Sequence, residues 1–87
     1  MEKIFAGILG MGHYLPEKVL TNYDLEKMVD TNNDWIVERT GIKSRHIAAP
    51  EQATSDLAFI ASEIDLKDAG INGEDIDCVI VATESPD

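Results

Sequence analysis

Eighty-seven residues suffice for one small domain at most, and a chain this short hides only about 60% of its unfolded surface, so its core is limited. At 44% hydrophobic and 28% charged, the composition is that of a globular chain rather than a disordered one. The net charge of −10 argues against nucleic acid as a partner, and no apolar run approaches the ~20 residues of a membrane span.

The acidity is uneven. Residues 1–50 balance to −1, whereas residues 51–87 hold ten acids against Lys67 alone. The opening "MEKIFAGILGMG" carries Glu2 and runs into turn signals, so it reads as structure rather than a signal peptide. A single cysteine, Cys78, excludes an internal disulfide and suits a reducing cytoplasm.

In chain order, Ile4, Phe5, Ala6, Ile8 and Leu9 form a nearly continuous apolar run, which suits a strand covered on both faces and hence a parallel sheet. Gly10, Gly12 and Pro16 end it. The spacing of "GILGMG" is G-x-x-G-x-G, lacking the third glycine of a dinucleotide loop, so turn glycines explain it better. "TNYDLEKMVD" predicts a short helix capped by Asn22, with Leu25, Met28 and Val29 on one face. "TNNDWIVERTG" predicts a second, capped by Thr31 or Asn32 and stopped at Gly41. "IKSRHIAA" alternates loosely, as a strand or an extended crossing.

A longer helix is expected from Ser55 to about Ala69, capped by Thr54 or Ser55 and stopped at Gly70. Leu57, Ala58, Ala61, Leu66 and Ala69 make one apolar set, with Asp65 unexplained among them. "IDCVIVAT" reads as a second buried parallel strand. The sum is α/β: a βαβ unit with short helices inserted after its first strand and a right-handed crossover. Two strands buried on both faces need neighbours and a second layer that these residues do not supply.

Trp35 stands apart from this pattern. With Trp35 at 0° on a helix of 100° per residue, Thr31 lies at about −40° and Arg39 at about +40°. Ile36, Asn33 and Val37 fall on the other side, so the ring points largely away from the helix's apolar face. A ring flanked by a guanidinium and a hydroxyl resembles a site for a flat, anionic ligand. A Trp35–Arg39 cation–π pair covering a neighbouring loop is the structural alternative.

The segments "TNYDLEKMVDTNNDWIVERTGIKSRHIAAPEQATSDLAF" and "DAGINGEDIDCVIVATESPD" closely resemble the start of the β-ketoacyl-acyl carrier protein synthase III family, of the thiolase-fold superfamily. "DWIVERTGI" is the specific part. The resemblance implies that residues 1–87 are an N-terminal fragment of the first thiolase-like half-domain. It implies a cytoplasmic, homodimeric acyltransferase that condenses acetyl-CoA with malonyl-acyl carrier protein to start type II fatty acid synthesis. Acetyl-CoA would be a substrate, with no permanently bound cofactor and no metal. In the family the corresponding tryptophan stacks on the adenine of coenzyme A, with the threonine and arginine at the same nucleotide end. Those roles would fall on Trp35, Thr31 and Arg39.

The resemblance also implies that the family's cysteine, histidine and asparagine lie beyond Asp87, so that no catalytic residue is expected in this chain and no activity from it alone. Cys78, flanked by Asp77 and Val79 in an apolar run, reads as a buried structural residue. His13 and His46 have no Cys or Ser partner at readable spacing. A stand-alone coenzyme A or nucleotide-binding module, and a self-associating structural fragment, are the alternatives.

Overall fold

The computed structural model describes residues 3–87. Leu15–Gln52 forms one compact unit, and the residues up to Tyr14 form a second with Ala53–Asp87.

In the Leu15–Gln52 unit, β1 (Lys18–Thr21) pairs antiparallel with β2 (Ser44–Ile47), Lys18 opposite Ile47 and Thr21 opposite Ser44. The alternation of β2 is therefore that of a strand. β1 was not expected; its four residues give too short a run to carry a period, and its partner lies far along the chain.

Thr21 ends β1 and caps α1 (Asn22–Glu26). Its hydroxyl accepts from the Asp24 N–H, while Asp24 Oδ2 accepts from the Thr21 N–H at 2.9 Å. These bonds to Thr21 hold the Asp24 carboxyl below its usual range. The cap expected at Asn22 thus falls one residue earlier. The helix also ends sooner than its apolar spacing suggested: Met28 and Val29 lie beyond it, in solvent.

Asn22 is instead fully buried. Its Nδ2 donates to Asn33 Oδ1 at 2.9 Å and to the Ile42 carbonyl at 2.7 Å. Its Oδ1 accepts from Arg45 Nη2 at 2.7 Å, and Arg45 Nη1 donates to the Leu20 carbonyl at 3.1 Å. One amide on α1 thus reaches α2 (Asn33–Thr40) and β2, and through Arg45 also β1, each polar atom satisfied, which is the condition for burying polar groups at low cost.

In the other unit, α3 (Thr54–Ala69) begins after Ala53, whose N–H donates to the Asp56 carboxylate at 2.7 Å. Alanine cannot return that bond, and Asp87 supplies the missing acceptor. Asp87 Oδ1 accepts from the Ser55 N–H at 2.9 Å and Oδ2 from the Ser55 hydroxyl, while the Thr54 hydroxyl donates to the Ser85 carbonyl. The Ser55 bonds hold Asp87 below the ordinary carboxylate range. Thr54 and Ser55, expected as caps, are the first helical residues.

The glycines of "GILGMG" do more than turn the chain. A Cβ on Gly12 would lie 2.5 Å from both the Ala61 carbonyl oxygen and the Asp65 nitrogen, and one on Gly10 2.7 Å from the Ala69 nitrogen. Only glycine lets this segment run so close to α3. Asp65 thereby gains an account: its backbone, rather than its carboxylate, forms the contact. Leu57, Ala58, Ala61, Leu66 and Ala69 are half-buried along the helix, as their spacing required.

The two expected parallel strands do not form a ladder. Residues 4–9 and 76–83 pair with no strand among the described residues, and Ile4 and Ile80 stand 94% and 90% exposed. A strand apolar on both faces needs a ladder neighbour and a layer on each side, and the described residues do not provide both. Cys78, expected to be buried in the second of these strands, is exposed for the same reason. No described helix is long and apolar enough to cross a membrane.

Candidate functional site

The candidate site lies on α2 (Asn33–Thr40), whose ends are set by its own sequence. Asn32 is the cap: its Oδ1 accepts from the Trp35 N–H at 2.8 Å, fixing the first turn and the Trp35 backbone together. Glu26 adds a second acceptor, its carboxylate receiving the Asn33 N–H at 2.8 Å. At the other end Gly41 takes φ of 72°, a left-handed conformation suited to glycine, and its N–H reaches the Val37 carbonyl at 2.8 Å. The Thr40 hydroxyl donates to the Ile36 carbonyl and accepts from the Ile42 N–H, closing the turn.

Ile36 alone on this helix is buried, with Asn33 and Val37 half-buried beside it. Asn33 is held by the buried Asn22 as well as by Glu26, so two polar bonds and the burial of Ile36 orient the helix. The outer face follows by rotation. Trp35 is 52% exposed, and the Arg39 guanidinium carbon lies 5.3 Å from its ring centroid. That distance is within the range of a cation–π contact. Arg39 makes no ion pair among the described residues, so an anchoring role through a carboxylate is not what holds it.

Thr31 lies ahead of the cap, outside the helix, so its helical angle does not apply; it is half-buried and its N–H donates to the Val29 carbonyl at 2.9 Å. Capping falls to Asn32 rather than Thr31. The structure therefore brings Trp35 and Arg39 together and leaves Thr31 just outside their helix.

Sequence reasoning missed the support beneath this face. Asn33 fell on the apolar side of the helical wheel, and a polar residue there was the available sign of a buried partner. His46, one of two histidines without a readable partner, donates from Nδ1 to the Pro16 carbonyl. A carbonyl only accepts, so the proton sits on Nδ1 and the ring is engaged in holding the turn before β1. His13 is exposed. No described group of His, Cys, Asp and Glu has the arrangement of a metal site.

Comparison with known proteins gives this geometry a context. No family model matches the sequence. The chain is 66% identical over 86 residues to the β-ketoacyl-acyl carrier protein synthase III of Caldanaerobacter subterraneus subsp. tengcongensis, a match over 99% of this chain and 26% of that protein. The chain is similar to synthase III along nearly its whole length. It spans about a quarter of the length of the curated relatives it matches. Among solved structures, 3-oxoacyl-acyl carrier protein synthase III from Aquifex aeolicus aligns with a TM-score of 0.66 at 50% identity, covering 74% of this chain and 20% of that one. A priming β-ketosynthase from the R1128 polyketide pathway aligns at 0.74 with 36% identity, over 80% of this chain and 21% of its own. The α/β, thiolase-like fold class read from the sequence therefore stands.

Proposed function

We propose that these residues form part of the adenine and phosphate end of a coenzyme A site in a β-ketoacyl-acyl carrier protein synthase III. The observation that carries the reading is the pairing of a half-exposed Trp35 with an Arg39 that has no carboxylate partner among the described residues, on the outer face of a helix capped at both ends. An indole face stacks on a flat heterocycle, and a guanidinium without an ion pair is available to phosphate. Thr31, half-buried just before the helix, would add a hydroxyl to an edge of the ligand.

In the whole protein the reaction is the condensation of acetyl-CoA with malonyl-acyl carrier protein that begins fatty acid synthesis. The acyl-carrying nucleophile and the groups that stabilise the developing oxyanion belong to other parts of that polypeptide, and Cys78 is not among them. A homodimer in the cytoplasm, with no resident cofactor, completes this reading.

Calorimetric titration of coenzyme A into the purified protein tests it. Binding should be measurable, and Trp35→Ala should abolish it. Unchanged affinity in that variant would remove Trp35 from the site and the proposal with it. A second reading, self-association, draws on the exposed apolar side chains of residues 4–9 and 79–81. Sedimentation finding a monomer at high concentration would dismiss it.

A further inference from the structure

The contact that identifies the site also closes part of it. A guanidinium resting over an indole occupies the surface on which a flat ligand would stack, and here the two groups are one helical turn apart and in contact. Nothing else holds Arg39: it forms no hydrogen bond and no ion pair among the described residues, and its side chain is exposed. Trp35, by contrast, is fixed through its backbone to Asn32 and through the helix to the buried Ile36. One partner of the pair is anchored and the other is free to leave.

We propose that Arg39 is a displaceable cover on Trp35, a specificity-determining residue that makes the site select ligands both flat and anionic. This rests on the coenzyme A reading above. A heterocycle that stacks on the covered face must break the cation–π contact. If the ligand carries phosphate, the released guanidinium exchanges the ring for a charge-assisted hydrogen bond, which is the stronger contact. If the ligand is a neutral nucleoside, nothing replaces what is lost. The same residue therefore favours a phosphorylated ligand twice: by attraction to it, and by resistance to its neutral counterpart.

This arrangement predicts effects of opposite sign from one substitution. Arg39→Gln removes the cation and most of the cover at an exposed position, so the fold should be unaffected. Adenosine and coenzyme A are titrated separately into the wild type and the variant, following the Trp35 indole N–H resonance assigned by its loss in Trp35→Phe. Adenosine affinity should rise by about two- to fivefold in Arg39→Gln, the equilibrium worth of an exposed cation–π contact. Coenzyme A affinity should fall by about tenfold or more, as a charge-assisted bond to phosphate is lost.

Adenosine affinity that is unchanged or lower in the variant would overturn the cover. The coenzyme A reading would then still stand wherever coenzyme A moves the Trp35 resonance of the wild type. Should neither ligand move that resonance, the site assignment fails and the cover falls with it.

Discussion

The two units of this chain solve the same problem of a small core in opposite ways. Leu15–Gln52 is organised by polar atoms: a fully buried Asn22 joins two strands and two short helices, and a guanidinium from β2 completes it. The unit built on α3 depends on backbone proximity, with Gly10 and Gly12 laid against the helix and a run of half-buried aliphatic residues beneath them. Its apolar segments at residues 4–9 and 79–81 remain in solvent. Hydrogen bonds of fixed geometry can close a structure over few residues, because each satisfies a donor and an acceptor locally. Apolar strands close only when enough neighbours accumulate on both faces. The face that bears Trp35 and Arg39 belongs to the first kind of unit, where a few directional contacts hold α2 in one orientation.

This contrast can be broken by substitution, and amide hydrogen exchange read separately over the two units is the measurement. The largest effect is expected from Asn22→Leu, which leaves Asn33 Oδ1, the Ile42 carbonyl and Arg45 Nη2 without their partner. A loss of about 2–4 kcal/mol should follow, seen as lost protection in β1, β2 and α2. Protection lost only in α3 would show the polar junction to be dispensable. Gly12→Ala should act on the other unit. Its Cβ would lie 2.5 Å from backbone atoms that cannot swing aside, and overpacking of this kind costs about 1–3 kcal/mol, read in the amides of α3. Asn32→Ala removes the cap of α2 and should cost about 1 kcal/mol, with fraying at Trp35 visible in its indole resonance.

The smallest effect is one of pH, and it touches both units. Asp24 and Asp87 are each held below the ordinary aspartate value of 3.8 by hydrogen bonds, to Thr21 and to Ser55 respectively. A carboxyl depressed in the folded state stabilises it fully well above the unfolded value. That contribution is lost as pH falls through 3.8 and past the folded value. Carboxyl carbon titrations should therefore place both midpoints below 3.8, and Ser55→Ala should return that of Asp87 alone toward it.

How much of this was legible followed from how local each signal was. The ends of α2 could be read because Asn32 and Gly41 act on their own helix, and the outward face of Trp35 followed from the helical period alone. The half-buried set on α3 was legible for the same reason. β1 was not, since a four-residue strand is defined by a partner that no window contains. Asn22 looked like a cap because Asn caps helices; that Thr21 did so and released Asn22 to the interior depends on Arg45 and Ile42, 23 and 20 positions away. The apolar runs at residues 4–9 and 76–83 signalled strands, but a ladder is a property of pairs, and the described residues give neither run its pair. The close approach at Gly12 was legible only as a glycine.

The junction at Asn22 has a consequence for how the protein ages. Arg45 can only donate and the Ile42 carbonyl can only accept, so the two ends of the Asn22 side chain are not interchangeable. Conversion of that amide to a carboxylate leaves volume and shape nearly unchanged. It would nonetheless turn the bond to the Ile42 carbonyl into oxygen facing oxygen, and would force the Asn33 amide to flip to keep its own. A spontaneous deamidation here would be almost invisible by size and would still open the unit that carries Trp35.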